Sequence, residues 1–84
     1  MNELELLKKK IKYRSTYRGT KEMDILLNSF VSSIINTLTF SELLKLDDFL
    51  NCNDEDIYNF YLNDNLIVAF NDKKILNLFK NFKI

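Results

Sequence analysis

Residues that interrupt helices are almost absent from this chain. Its 84 residues include no proline and a single glycine, Gly19, and proline and glycine are the strongest breakers of an α-helix. Apolar residues also recur at spacings of three and four, as Leu4, Leu7 and Ile11 do near the N-terminus, and this spacing places them on one face of a helix. Because no paired strand patterns accompany these stripes, the sequence predicts an all-α fold.

Five short helices account for the apolar stripes. They are expected at about residues 2–13, 20–36 and 39–50, from residue 53 across the aromatic segment that follows, and from residue 71 or 72 onward. Polar residues typical of helix starts precede several of them, including Asn2, Asn53 and the capping-box sequence TFSE at residues 39–42. The segment LIVAF, residues 66–70, could pass for a strand, but a lone strand has no partner. The predicted architecture is a compact bundle of five short helices.

The composition is that of one small globular domain covering residues 1–84. Hydrophobic residues make up 46% and charged residues 29%, and a chain of this size buries a thin core, for which Phe49, Phe60 and Phe79 are candidates. The single cysteine, Cys52, excludes an internal disulfide, and the absence of histidine excludes the common zinc spacings. No apolar run is long enough to span a bilayer. We expect a monomer without a metal site or a membrane insertion.

The stretch YRGTKEMD, residues 17–24, raises the question of why the one glycine stands there. Gly19 could supply the left-handed residue that follows the first helix. It could instead be the N-cap of the second helix, with Glu22 three residues later completing a capping box. A third interpretation is functional, because a residue without a side chain between Arg18 and Glu22 makes a flat site where another protein could approach. Arg18 would then donate to that partner, and Glu22 would accept from a partner cation.

The same stretch carries a family resemblance. RGTKEMD resembles the R-G-x-x-E signature, often continued by an apolar residue and Asp, of the SdhE-type FAD assembly factors, also called succinate dehydrogenase assembly factor 2 proteins. FSELLKLDDFLNCNDEDIYNFYLN, residues 40–63, resembles the later, acidic and aromatic part of that family. The similarity covers roughly residues 13–62. The chain departs from the family at Tyr17, where a basic residue is common, at Phe60, where tryptophan is common, and in lacking a proline after the fourth helix.

The resemblance implies a helper protein rather than an enzyme. Such proteins bind the flavoprotein subunit of succinate dehydrogenase, and in some bacteria also that of fumarate reductase, and promote covalent attachment of FAD to a histidine of that subunit. The motif then assigns partner binding to Arg18, Gly19, Glu22 and Asp24, the first three of which we expect to lie exposed together. The chain itself is expected to bind no cofactor stably, because the FAD belongs to the partner. It would work in the bacterial cytoplasm, or in the mitochondrial matrix of a eukaryote.

A rival interpretation starts from the basic residues between Lys8 and Lys21. A small helical nucleic-acid-binding or general protein-interaction module would use such a basic first helix. The net charge of zero and the core spacing of the aromatic residues favour two solvated faces of opposite sign instead. Asp54, Glu55 and Asp56 could serve as oxygen ligands of a metal, but their position at a helix start explains them as capping charges. We therefore expect neither nucleic-acid binding nor a metal site.

Overall fold

The computed structural model describes residues 2–83. Five α-helices follow one another in this part of the chain: α1 (Glu3–Arg14), α2 (Lys21–Ile34), α3 (Phe40–Leu50), α4 (Asp54–Asn63) and α5 (Lys73–Asn81). No strand occurs between residues 2 and 83. The prediction of an all-α fold with five short helices is confirmed.

Each helix begins after a polar residue whose side chain accepts a hydrogen bond from a backbone N–H of the first turn. These N-caps are Asn2, Thr20, Thr39, Asn53 and Asp72. At α3 the predicted capping box is complete, because the Glu42 carboxylate also accepts from the Thr39 backbone N–H at 2.9 Å. Such caps satisfy N–H groups that have no partner inside the helix. The local sequence therefore determines where each helix starts.

The segment LIVAF forms no strand. It lies in the loop between α4 and α5, where Ile67 and Phe70 are buried while Leu66 and Val68 are exposed. Two apolar side chains thus attach the loop to the helical core without the backbone pairing that a strand requires.

The helix ends also agree with the sequence prediction to within a few residues, since α2 stops at Ile34, shortly before the expected residue 36.

Aromatic side chains form the centre of the core. Phe30, Phe49 and Phe79 are fully buried, and the Phe79 ring centroid lies 4.9 Å from that of Phe30 and 5.1 Å from that of Phe49. Edge-to-face contacts of this kind add to the free energy gained from burying apolar surface. Phe60 is also buried. The three phenylalanines predicted for the core are therefore all buried, namely Phe49, Phe60 and Phe79.

Ion pairs fix the C-terminal half of α1 against α3. The Asp47 carboxylate, whose side chain is 10% exposed, lies 3.1 Å from Lys10 Nζ and 3.1 Å from Arg14 Nε. Asp47 Oδ1 accepts no hydrogen bond from any group among residues 2–83, so its attraction to Arg14 is electrostatic and not a directed hydrogen bond. These contacts hold the end of α1 beside the C-terminal half of α3. The loop from α1 to α2 starts from that position.

Candidate partner-binding site

The predicted site lies in the loop of residues 15–20, which connects α1 to α2, and in the first turn of α2. The loop starts at Ser15, which is fully buried and donates its hydroxyl to the Lys12 carbonyl at 2.7 Å. Tyr17 has a φ of 55°, in the left-handed region that is unfavourable for a residue with a side chain. Gly19 has no positive φ. The alternative in which Gly19 supplies the left-handed residue after the first helix is therefore wrong, because Tyr17 takes that conformation.

The Arg18 side chain turns inward and binds Asp54, the first residue of α4. Its Nε donates to Asp54 Oδ1 at 2.7 Å, and its Nη2 lies 2.6 Å from the same oxygen. Nη1 donates to the carbonyl oxygens of Arg14 at 2.8 Å and Leu50 at 3.0 Å, and Nη2 donates to that of Cys52 at 3.2 Å. The guanidinium thus satisfies carbonyls at or just beyond the ends of α1 and α3, where helices lack internal donors.

Gly19 adds a backbone contact to the same carboxylate. Its N–H donates to Asp54 Oδ2 at 2.6 Å, so the loop uses both oxygens of Asp54. A Cβ atom at Gly19 would lie 3.1 Å from Oδ2, which is tighter than most Cβ contacts. The close approach of a carboxylate, and not an unusual φ, is therefore what favours glycine here. We call the contacts of Arg18 and Gly19 with Asp54 the Arg18–Asp54 clasp.

Asp24 attaches the same loop to α2. Its carboxylate accepts a hydrogen bond from the Arg18 backbone N–H, and the residue is half-buried. Arg18 is thus held through its side chain by α4 and through its backbone by α2. Two carboxylates from different helices therefore set the conformation of the loop.

Glu22 lies on the exposed side of the first turn of α2. The N-cap of this helix is Thr20, whose hydroxyl accepts from the Met23 N–H at 3.2 Å. The alternative in which Gly19 is the N-cap and Glu22 closes a capping box is therefore wrong. Within residues 2–83 the Glu22 carboxylate has no ion-pair partner. It can therefore form an ion pair with a basic group of another molecule.

A groove of about 550 Å³ opens beside Gly19, between the first turns of α2 and α4. Its lining includes Gly19, Glu22, Met23, Asp54, Glu55 and Tyr58. Arg18 neutralises the Asp54 carboxylate, whereas Glu22 and Glu55 are exposed to solvent. The groove thus combines the Tyr58 ring with negative charge. It can receive a basic side chain whose aliphatic stem packs on the ring while its charged end reaches a carboxylate.

The four predicted residues meet around the start of α2, but their surroundings differ. Gly19 and Glu22 are exposed, as expected. The Arg18 side chain is only 13% exposed, so the expectation that Arg18 lies exposed beside them is wrong, because Asp54 and three carbonyls draw the guanidinium inward. Arg18 and Asp24 shape the loop from within. That these four residues form a partner-binding site stays a prediction.

The residue that the sequence analysis missed is Asp54. It does stand in the first turn of a helix, as predicted, but its carboxylate is directed to the loop before α2. Arg18 and Asp54 are 36 positions apart in the chain, and no local pattern relates them. The only available signal was the run of three acidic residues at the start of α4, which a capping role explains equally well.

Other chemistry finds little support in the described part of the chain. Burial raises the pKa of the Cys52 thiol, and the nearby Asp56 carboxylate raises it further, so the thiol stays protonated and is a poor nucleophile. Among residues 2–83 no group of Cys, Asp or Glu side chains is arranged to hold a metal ion. No helix in that range is long and apolar enough to cross a membrane.

Known proteins similar to this chain have names that refer to the assembly of succinate dehydrogenase or of FAD. The family described as flavinator of succinate dehydrogenase matches residues 9–83. "Succinate dehydrogenase assembly factor 2, mitochondrial" from Dictyostelium discoideum is 42% identical over 62 residues, which are 74% of this chain and 44% of that protein. "FAD assembly factor SdhE" from Acetobacter pasteurianus is 32% identical over 56 residues, which are 67% of this chain and 51% of that protein. No solved structure matches the chain.

The family match includes the site, whereas the curated relatives are matched over only part of their length. The chain spans about half the length, or less, of the curated proteins that it matches. The family match, in contrast, covers most of the chain and contains the Arg18–Asp54 clasp, Asp24 and Glu22. The chain therefore belongs to the family of flavinators of succinate dehydrogenase.

Proposed function

We propose that this chain binds the flavoprotein subunit of succinate dehydrogenase and promotes the covalent attachment of FAD to that subunit. The observation that carries the proposal is the family match over residues 9–83. The name of the bacterial relative, an FAD assembly factor, supports it. The contact that we propose is between the flavoprotein and the groove beside Gly19.

Glu22 is the charged residue of the proposed contact. Its carboxylate is exposed at the groove and accepts from a basic side chain of the flavoprotein, where exclusion of water strengthens the pair. Gly19 leaves room for the partner backbone, since a larger residue would fill the mouth of the groove. Arg18 and Asp24 contribute by holding the loop in place rather than by reaching the partner.

The helper acts by orientation. Binding stabilises a conformation of the flavoprotein in which the acceptor histidine and the flavin lie close together and aligned, which removes entropy from the barrier to bond formation. The flavin ring supplies the electron-accepting chemistry of the attachment. This chain contains no histidine, so the acceptor belongs to the flavoprotein. The protein is in this proposal a chaperone-like assembly factor and not an enzyme.

The same proposal extends to cofactor binding, oligomeric state, the range of clients and the cellular location. The chain holds no cofactor stably and contacts FAD only together with the flavoprotein. It is a monomer when free, and its clients include the fumarate reductase flavoprotein in bacteria that contain one. It works in the bacterial cytoplasm or the mitochondrial matrix, where the flavoprotein subunit folds.

Co-expression tests the proposal. The flavoprotein subunit of succinate dehydrogenase from the same organism is produced with and without the tagged chain, and its covalent flavin is measured by in-gel fluorescence. We expect the flavoprotein to co-purify with the chain and to carry much more covalent flavin in its presence. Full flavin attachment without the chain, together with no co-purification, would contradict the proposal.

Nucleic-acid binding receives less support from the side-chain contacts. In the basic region Lys10 and Arg14 are paired with Asp47, and Arg18 is paired with Asp54. A lysine or arginine side chain that is already paired with a carboxylate neutralises a phosphate less readily than a free one does. It therefore releases fewer of the counterions bound to a nucleic acid. A mobility shift of RNA or DNA by the chain at physiological salt concentration would restore that alternative.

A further inference from the structure

Asp54 has an unusual position among the acidic residues at the start of α4. Its Oδ1 accepts from the Arg18 guanidinium, and its Oδ2 accepts from the Gly19 N–H. The helix itself does not use this carboxylate as a cap, because Asn53 is the N-cap and its side chain accepts from the Asp56 N–H. Both oxygens of Asp54 therefore serve a loop that is distant in sequence.

The loop that Asp54 holds contains a residue in an unfavourable conformation. Tyr17, directly before Arg18, has a φ of 55° and is 85% exposed as a residue, so no burial of its ring compensates for the left-handed backbone. Such a conformation persists only where the surrounding contacts determine it. The contacts on either side of it are the buried Ser15 and the clasp formed by Arg18 and Gly19 with Asp54.

We infer that Asp54 is a positioning residue of the partner-binding site, acting through Arg18 and Gly19. This inference rests on the proposed function. Arg18 and Asp54 neutralise each other, and their side chains are only 13% and 26% exposed, so neither offers a free charge to a partner. Their role is to fix the loop so that Gly19 is open to the groove and Glu22 presents its carboxylate beside it.

The inference is tested by the affinity of the Asp54→Asn variant for the succinate dehydrogenase flavoprotein. Asparagine keeps an oxygen that can accept from the guanidinium, but it directs an N–H₂ group toward the Gly19 N–H, which is itself a donor. The matched control is Asp56→Asn, which removes a carboxylate from the same helical turn but leaves the clasp intact. We expect at least an about tenfold loss of affinity for Asp54→Asn and less than about a twofold loss for the control.

Two further measurements separate positioning from other roles. Hydrogen exchange of the Gly19 amide, easily assigned because the chain has one glycine, should be faster in Asp54→Asn and unchanged in Asp56→Asn. The Ile75→Val variant is a control for lowered stability. It changes a residue of the buried core that is far from the loop in sequence, and it leaves the clasp intact. Affinities are compared at a temperature at which every variant is folded, and Ile75→Val should bind like the wild type.

Each result decides the question. Wild-type affinity of Asp54→Asn would overturn the inference and leave the proposed function standing, whereas a wild-type chain that does not bind the flavoprotein would overturn both. Equal losses in Asp54→Asn and Asp56→Asn would indicate a general effect of negative charge, and an equal loss in Ile75→Val would indicate stability alone. A loss of affinity with unchanged exchange at Gly19 would mean that Asp54 touches the partner itself. Any of these last three results contradicts a positioning role.

Discussion

Arg18 Nη2 lies 2.6 Å from Asp54 Oδ1, although 36 positions separate the two residues in the chain. The pair joins the loop after α1 to the first turn of α4. Exposed ion pairs contribute little to stability, but these two side chains are only 13% and 26% exposed, and the guanidinium also binds three backbone carbonyls. The Arg18–Asp54 clasp is therefore expected to stabilise the fold as well as to shape the loop.

Replacing Arg18 with glutamine removes the positive charge and leaves the Asp54 carboxylate without its charged donor. We expect the free energy of unfolding to fall by about 2 kcal/mol, as for the loss of a shielded hydrogen bond to a charged group. Urea unfolding measures this loss. The control is Lys9→Gln, since Lys9 is exposed and has no ion pair among residues 2–83, and it should change stability by less than about 0.5 kcal/mol. Equal stability of the two variants would show that the clasp contributes nothing.

Substitutions at Gly19 separate stability from partner binding. In Gly19→Ala the added Cβ would meet Asp54 Oδ2 at 3.1 Å, so the carboxylate must shift by a few tenths of an ångström, and the lower entropy of the unfolded chain offsets part of that cost. We expect a change of less than about 1 kcal/mol in unfolding free energy.

Gly19→Arg should likewise leave the fold largely intact but abolish binding of the flavoprotein, because its side chain fills the mouth of the groove. Thermal melting and co-purification are the measurements, and normal binding by Gly19→Arg would place the contact elsewhere.

The helices could be predicted because their determinants are local. Asn2, Thr39 and Asn53 cap groups that lie within three residues of them, and the apolar stripes are visible within a few turns. The segment LIVAF was ambiguous because its burial depends on distant helices. Ile67 and Phe70 pack into a core supplied by the rest of the chain, and nothing within five residues of sequence distinguishes that packing from a strand.

The site could be predicted only in part. The motif located Gly19 and Glu22 correctly at the surface, but the inward turn of Arg18 depends on which of three acidic residues at the start of α4 faces the loop. That choice follows from the packing of α4 and not from its sequence. The left-handed residue at Tyr17 was equally unexpected, because residues with side chains rarely adopt positive φ and the glycine two positions later was the obvious candidate.

The capping box of α3 predicts a dependence of stability on pH. The Lys74 ammonium, which pairs with Glu42, and the Thr39 backbone N–H lower the pKa of the Glu42 carboxyl below its usual value of 4.5. A carboxyl with a lowered pKa in the folded state stabilises the fold above pH 4.5, and this contribution is lost as the pH falls through the lowered pKa. Glu42→Gln should therefore show a shallower decline of unfolding free energy with acid. Parallel profiles of wild type and variant in urea unfolding would contradict the prediction.

Cys52 should react slowly while the chain is folded. The residue is 9% exposed, and burial together with the Asp56 carboxylate raises the pKa of its thiol, whereas alkylating reagents react with the thiolate. At neutral pH we expect iodoacetamide to modify Cys52 much faster in urea than in native buffer, as measured by mass spectrometry. Asp56→Asn should speed the native reaction modestly, because it removes one of the causes of the raised pKa, while burial and the Asp48 carboxylate still raise it. Equal rates in urea and native buffer would show that the thiol is not protected.

Glu22→Gln tests whether the exposed charge of the groove is needed by the partner. Because Thr20 and not Glu22 caps α2, the loss of the carboxylate should lower the melting temperature only by the small amount that an exposed charge at a helix N-terminus contributes. If the carboxylate pairs with a cation of the flavoprotein in a contact without water, the same change weakens binding by about 2–5 kcal/mol. Covalent flavin on the flavoprotein, measured by in-gel fluorescence, should fall in parallel.

The control for this prediction is Glu3→Gln. Glu3 also lies in the first turn of a helix and is exposed, so both variants lose a carboxylate that interacts favourably with a helix N-terminus, worth about 0.3–1 kcal/mol at an exposed position. Similar melting temperatures for the two variants, with flavin attachment lost only in Glu22→Gln, would assign the charge at Glu22 to the partner. Normal flavin attachment with Glu22→Gln would instead mean that the groove binds through its shape, and that Gly19 and not Glu22 is the essential residue of the motif.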